Sequence, residues 1–214
     1  MKRASVLILL LFGASLSRAQ FIRGWGIEGG AVGAYQAFIY TPGNSSPAIP
    51  TALRWGYTAG LFVEFLNVPH VSMVLDAAYT QKGRTVTSQE VSRSAAEPAY
   101  LSSGPVGLKP YIDYLRVAFL MKVRTGREGF VPYAGLGPRF DFILSRHAEG
   151  TPVLDPFKKA DIGISLALGV EIVPRRLPLF SVEARWSPSF SKAYTNSILT
   201  IKNDNVDLLF ALWL

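Results

Sequence analysis

Residues 162–172 alternate strictly between large apolar side chains and small or charged ones. The segment reads IGISLALGVEI, and every second residue from Ile162 to Ile172 is Ile, Leu or Val. The residues between them are Gly163, Ser165, Ala167, Gly169 and Glu171. A helix would spread the large side chains around its circumference, whereas an extended strand places all of them on one face. The pattern therefore predicts a β-strand with one apolar face and one face of small or charged groups.

The same period of two recurs elsewhere in the chain. It is found at 25–35, 55–65, 71–82, 115–124, 132–144, 180–186 and 206–214. Most of these segments have about nine to twelve residues, which is the length that a tilted strand needs to cross a bilayer. Together with 162–172 they make an even number of strands, as single-chain bacterial barrels have.

The connections between the predicted strands alternate in length. Those at 36–54, 83–110, 145–160 and 188–204 are long, whereas those at 66–70, 125–129 and 174–178 are short. In an up-and-down barrel this alternation puts every long connection at one end, as in outer-membrane proteins with long extracellular loops and short periplasmic turns. The sequence therefore predicts an all-β fold, an eight-stranded antiparallel up-and-down transmembrane β-barrel.

Two barrel classes would turn the apolar face in opposite directions. A soluble lipocalin-like barrel would bury it, whereas a membrane barrel would turn it toward lipid. The polar face is rich in Gly, Ala and Ser, which suits the crowded lumen of an eight-stranded barrel better than a water-facing surface. The apolar face also carries aromatic residues near strand ends, as interfacial girdles do. They are Trp25, Tyr35, Trp55, Tyr57, Phe65, Tyr79 and Trp186. These features favour the membrane barrel.

The N-terminal residues have the pattern of a secretory signal peptide. Lys2 and Arg3 precede a short apolar run at 4–14, and a small-x-small cleavage pattern follows at 17–19. We therefore predict a signal peptide at 1–19 and an outer-membrane β-barrel domain at 20–214. The chain has no cysteine, which excludes disulfides, zinc–thiolate sites and Cys nucleophiles.

With its polar face turned inward, the barrel would enclose a network of charges. The predicted members are Glu28, Glu64, Asp76, Arg116, Lys122, Arg139, Asp141, Glu171, Glu183 and Arg185. Buried charges must pair, so these acids and bases are expected to plug the lumen. Glu171 is expected near the short-turn end, with Lys122 or Arg185 as its partner. The alternative is a narrow pore for small solutes, although water-filled channels need about 16 strands.

Eight short motifs follow one another along the chain. They are WGIEGGAVG, GYTAGLFVEF, VSMVLDAAYTQKG, YLRVAFLMK, YAGLGPRF, KKADIGISLALGVEI, VEARWSPSF and KNDNVDLLFALWL. In this order they resemble the small outer-membrane protein β-barrel domain family, often labelled porin-family or PorT-like. Asp76 stands at the family's usual Glu, Ala118 replaces a common Pro, and Leu214 replaces the usual terminal aromatic residue. The resemblance implies an outer-membrane location and insertion by the barrel-assembly machinery, but no particular activity.

Few residues suggest chemistry. Ser145 and His147 lie two residues apart near a strand end, so an alternative function is a lipid A-acting acyl hydrolase with Ser145 as nucleophile and His147 as base. His70 is expected in a solvated turn. We predict no enzyme activity and no cofactor or metal.

The basic residues near the long-loop end suggest a lipid partner. They are Arg84, Arg93, Lys109, Arg146, Lys158, Lys159, Lys192 and Lys202. Such side chains either contact lipopolysaccharide phosphates or are ordinary solvated loop charges. No run of Lys or Arg exceeds two residues, so nucleic acid is excluded as a partner. The expected partners are outer-membrane lipid and envelope proteins.

Overall fold

The fold is built from eight long antiparallel strands. The computed structural model describes residues 21–40, 51–66, 68–86, 111–126, 128–147, 158–174, 178–195 and 199–214. The long strands are β1 (Ile22–Tyr40), β3 (Arg54–Phe65), β4 (Val71–Gly83), β6 (Tyr111–Arg124), β7 (Gly129–His147), β8 (Ala160–Val173), β9 (Phe180–Pro188) and β11 (Leu199–Trp213). Short strands are β2 (Thr51–Ala52), β5 (Thr85–Val86) and β10 (Tyr194–Thr195). The predicted signal peptide at 1–19 lies outside the described residues.

The long strands close into a barrel. Each pairs antiparallel with the next in sequence, and β11 pairs back onto β1 from Gly26↔Trp213 to Tyr40↔Leu199. Closure removes the sheet edges, because every long strand then has two neighbours. The prediction of an eight-stranded antiparallel barrel is confirmed. The described residues contain no helix that is long and apolar enough to cross a membrane.

Several strands are longer than the alternating segments predicted. The clearest case is β11, which begins at Leu199 rather than at Val206. Its first residues, LTIKNDN, lack a continuous apolar face, but their backbone still pairs with β1. Backbone pairing therefore extends beyond the residues whose side chains alternate between apolar and polar. The connections keep their predicted alternation, with short turns at 66–70, 125–128 and 174–179.

The large apolar side chains point outward and the charged ones point inward. On the outer face, Trp55 is 67% exposed and Leu168 is 69% exposed. On the inner face, Glu64, Arg116 and Glu171 are completely buried. This arrangement inverts that of a soluble barrel, so the prediction that the apolar face points outward is confirmed.

An apolar layer crosses the lumen, which the sequence analysis did not predict. Phe62, Val74 and Leu120 pack together in the barrel interior, with Ala211 and Trp213 against them. The rings of Phe62 and Trp213 meet edge to face, with centroids 4.7 Å apart. These residues occupy inward positions on strands that also carry inward charged residues, such as Glu64, Asp76 and Lys122. The layer lies between two of the ion-pair clusters described below.

Candidate functional site

A network of acidic and basic side chains occupies the described part of the lumen. The acids are Glu28, Glu64, Asp76, Asp141, Asp161, Glu171, Glu183 and Asp207. The bases are Arg23, Lys82, Arg84, Arg116, Lys122, Arg124, Arg139 and Arg185. All ten residues predicted from the sequence lie in this set. Most of these acids lie within salt-bridge distance of a base, which offsets the cost of burying them.

The lower cluster lies near the short turns and is centred on Glu64 and Glu171. Arg23 bridges the two carboxylates, with Nη1 2.7 Å from Glu64 Oε1 and Nη2 2.9 Å from Glu171 Oε2. Lys122 Nζ donates a hydrogen bond to Glu171 Oε1 and lies 4.0 Å from the centroid of the Tyr133 ring. Arg124 lies 3.4 Å from Glu64. Of the two partners expected for Glu171, Lys122 is therefore the one it contacts.

The central cluster is organised by two arginines. Arg116 Nη2 lies 2.7 Å from Glu28 Oε1, and its Nη1 lies 2.8 Å from Asp207 Oδ2. Arg185 Nη1 lies 2.7 Å from Asp76 Oδ2, and its Nε lies 2.6 Å from Glu183 Oε1. Each guanidinium therefore binds two carboxylates from different directions, which matches the fixed donor geometry of arginine.

The upper cluster lies toward the long-connection end. Asp141 accepts a hydrogen bond from Lys82 Nζ at 2.6 Å, and its Oδ2 lies 2.9 Å from Arg139 Nε. Arg139 Nη1 also donates to the Ser187 carbonyl at 2.6 Å. Asp161 accepts a hydrogen bond from Ser189 Oγ at 2.7 Å. This cluster mixes ion pairs with neutral hydrogen bonds, so polar groups fill the lumen up to its upper end.

The described part of the barrel has a small cavity beside the apolar layer. A cavity of about 30 Å³ lies between the apolar layer and the central cluster. Its lining includes Phe62, Leu120 and Trp213 on one side and Glu28 and Glu183 on the other. A volume of this size holds one or two water molecules, which is far less than a solute pathway requires.

Six charged lumen residues were missing from the predicted network. They are Arg23, Lys82, Arg84, Arg124, Asp161 and Asp207. Lys82, Arg124 and Asp207 already lay on the polar face of the predicted strands, so the alternation itself was sufficient to find them. Asp161 lies just before a predicted strand start and continues the inward phase of that strand. Arg23 has the outward phase of Trp25, and it reaches the lumen where the pairing of β1 with β3 shifts register between Ile22 and Gly24.

Arg84 fits neither of the two alternatives given for the basic residues, a lipid-phosphate contact or a solvated loop charge. Its side chain is buried in the lumen and donates a hydrogen bond to Gln36 Oε1 at 3.1 Å. Arg84 follows the last residue of β4, so it continues the inward phase of that strand. Lys158, Lys159 and Lys192 are exposed. Arg93 and Lys109 lie outside the described residues.

A β-bulge in β7 changes which way its upper residues face. From Tyr133 to Asp141 the odd-numbered residues face the lumen. The register then shifts, because Asp113 pairs with Ser145 while Tyr114 pairs with Ile143. The extra residue turns Ser145 and His147 to the outer wall. Bulges commonly re-aim side chains in this way beside functional sites.

Ser145, His147 and Asp113 meet on this outer wall, but not as a catalytic relay. Ser145 Oγ lies 2.7 Å from His147 Nε2, and Asp113 Oδ2 lies 2.9 Å from the same nitrogen. A Ser–His–Asp triad needs one ring nitrogen to accept the serine proton and the other to donate to the carboxylate. With both partners on Nε2, the imidazole cannot connect them. The hydrolase alternative is therefore not favoured. The described residues also contain no cluster of His, Cys, Asp or Glu suited to a metal.

The closed barrel is similar to solved outer-membrane proteins. The crystal structure of the outer membrane protein OprG from Pseudomonas aeruginosa matches with a TM-score of 0.52 and 14% identity, over 90% of this chain and 97% of that one. The fold is that of a small outer-membrane barrel. The crystal structure of Neisserial surface protein A gives a TM-score of 0.49 and 10% identity, over 90% of this chain and 99% of that one. No protein-family model and no curated protein sequence matches the chain.

Proposed function

We propose that the protein is a non-enzymatic integral component of the bacterial outer membrane, with a closed lumen and a structural, binding or envelope-assembly role. The single observation that supports this function most strongly is the network of ion pairs inside an apolar outer wall. The network stabilises the barrel from within, as a hydrophobic core does in a soluble protein. The long connections at one end then present the variable surface for partners.

The proposed location and partners follow from the same arrangement. An outer wall as apolar as this one is stable only in lipid. A signal peptide at 1–19 would export the chain, and the barrel-assembly machinery would insert it. The order of its eight motifs supports membership of the PorT-like family. The exposed Lys158, Lys159 and Lys192 are suited to contact the phosphates of lipopolysaccharide.

The location is tested by fractionating cells that express the full chain. We expect the protein in the outer-membrane fraction, migrating differently on gels before and after boiling, because a closed barrel resists detergent until it is heated. A soluble protein of the same composition would appear in the periplasm and show a single mobility. That result would contradict the proposed location.

The closed lumen is tested by conductance. The purified, folded protein is expected to give no stepwise current in planar lipid bilayers, because ion pairs fill the lumen and water-filled channels need about 16 strands. A 16-stranded porin reconstituted in the same bilayers provides the positive control. Regular single-channel steps from the wild-type protein would instead support the small-solute pore.

A further inference from the structure

Asp113 is an unusual residue for the outer wall of a membrane barrel. It lies on the outward face of β6, two positions above Leu115, and the outward residues below it are apolar. Its side chain is nevertheless only 10% exposed, because neighbouring side chains cover it. A charged group facing lipid is costly and marks a functional site more often than a structural one.

The groups around Asp113 form an organised site on the barrel exterior. Tyr79 donates a hydrogen bond from its hydroxyl to Asp113 Oδ1 at 2.6 Å, and His147 Nε2 lies 2.9 Å from Oδ2. Gln81 Nε2 donates to the Tyr79 hydroxyl at 3.2 Å. Ser145 completes the group through its contact with His147. We call these five residues the bulge site, because the β7 bulge brings Ser145 and His147 to it.

Aromatic rings border the bulge site. The Tyr111 ring stacks on the His147 ring, with centroids 4.2 Å apart. The Arg54 guanidinium lies over the Tyr111 ring, 4.4 Å from its centroid. Tyr57 packs on Tyr79 with centroids 5.5 Å apart. Aromatic side chains with polar ends are typical of the membrane–water interface. The site is therefore placed where the apolar wall meets the headgroup layer.

The surface below the bulge site is apolar. Leu144, Phe142 and Leu115 are exposed on the outer wall directly beneath it. A ligand that covers both surfaces must have a polar head and a hydrocarbon chain. Small-molecule sites combine apolar contacts with a few placed polar groups in the same way.

The polar groups of the site select the type of head. The carboxylate of Asp113 repels a phosphate that approaches it directly, whereas it can accept hydrogen bonds from hydroxyls. Ser145, Gln81 and His147 add groups that donate or accept hydrogen bonds. The exposed ring of Tyr57 lies beside these groups, and an aromatic ring of this kind suits the apolar face of a sugar. We propose that the bulge site binds the sugar headgroup of an outer-leaflet glycolipid, with its acyl chain along the wall below. This inference rests on the proposed outer-membrane location.

The test uses the full mature chain, folded into phosphatidylcholine nanodiscs, with lipid A as the probe. Retained lipid is counted by native mass spectrometry for the wild type, for the double variant Ser145→Ala/His147→Ala, and for His70→Ala. His70 lies in a short turn at the opposite end of the barrel and is the matched control. Phosphatidylglycerol and dephosphorylated lipid A are run in parallel as anionic and sugar-only probes.

We expect the wild type and His70→Ala to retain lipid A and its dephosphorylated form in preference to phosphatidylglycerol. The double variant is expected to bind both sugar lipids about tenfold more weakly, as the loss of one or two hydrogen bonds predicts. Equal retention by the double variant and the wild type would overturn the proposal. So would the loss of binding on dephosphorylation, which would assign recognition to basic side chains such as Arg54 or the surface lysines.

Two further outcomes separate this inference from the proposed function. Release of fatty acid from lipid A by the wild type, but not by the double variant, would overturn both the binding role and the non-enzymatic function. A chain that fails to insert and shows no heat-modifiable migration would overturn the membrane location, and the glycolipid site with it. A chain that inserts but retains all lipids equally would overturn only the glycolipid site.

Discussion

Replacing Arg116 with Met is expected to lower the free energy of unfolding by about 4 kcal/mol, because removal of one partner from a buried ion pair leaves uncompensated charge. Arg116 is completely buried and bonds to Glu28 and Asp207, which come from two different strands. Both carboxylates lose their shortest contact with a cation in the variant, although Arg185 remains 3.6 Å from Glu28. The change is measured by urea unfolding of the folded barrel in lipid vesicles, followed by tryptophan fluorescence.

The control for this prediction is Lys192→Met, which removes a basic group from an exposed position. It should change the stability by less than about 1 kcal/mol, as surface charges generally do. Adding Glu28→Gln and Asp207→Asn to the Arg116 variant should recover part of the loss, because the orphaned charges are then neutral. A loss in Arg116→Met no larger than in the control would show that the network does not stabilise the barrel.

Replacing Gly137 with Ala is expected to destabilise the barrel by about 3 kcal/mol, in the range that overpacking produces. A Cβ atom at Gly137 would lie 1.8 Å from the carbonyl oxygen of Phe119 on the neighbouring strand. That atom belongs to the backbone, so it cannot move aside without separating β6 from β7. The measurement is the temperature at which the heat-modifiable gel band converts to the unfolded mobility.

The matched control is Gly135→Ala, two residues earlier on the same strand. A Cβ atom there would meet Ala167 Cβ at 3.3 Å and the Met121 carbonyl oxygen at 3.7 Å. The first contact requires a shift of a few tenths of an ångström, so the variant should convert at nearly the same temperature as the wild type. Equal effects of the two substitutions would mean that close strand approach is not what requires glycine at 137.

The lumen explains how the barrel is stable with its apolar residues outside. Salt bridges in a soluble protein are often no better than apolar packing of the same volume. Here the outer wall takes the apolar residues, and the inner face of eight strands meets across a narrow space. Paired charges of opposite sign fill that space and connect strands on different sides of the barrel, as Arg185 of β9 does with Asp76 of β4.

The strands and their faces could be predicted from the sequence because a strand has a period of two. Each large apolar residue in 162–172 marks its neighbours as inward, so Glu171 was assigned to the lumen without any tertiary information. The same logic found all ten predicted charges. Continued past Leu144, the same alternation would place Ser145 and His147 in the lumen, because the bulged residue that reverses it leaves no mark in the amino-acid pattern.

The sequence by itself determined the strand number, the alternating connections and the residues that face the lumen, because these depend on local periodicity. Only the tertiary structure decided which charges pair, since a carboxylate such as Glu64 meets cations from strands distant in sequence. It also decided that Phe62 and Trp213 form an apolar layer inside a polar lumen. The bulge site depends on both sequence and tertiary structure. The sequence supplies its residues, but the bulge that brings Ser145 and His147 to Asp113 arises from the pairing of β6 with β7.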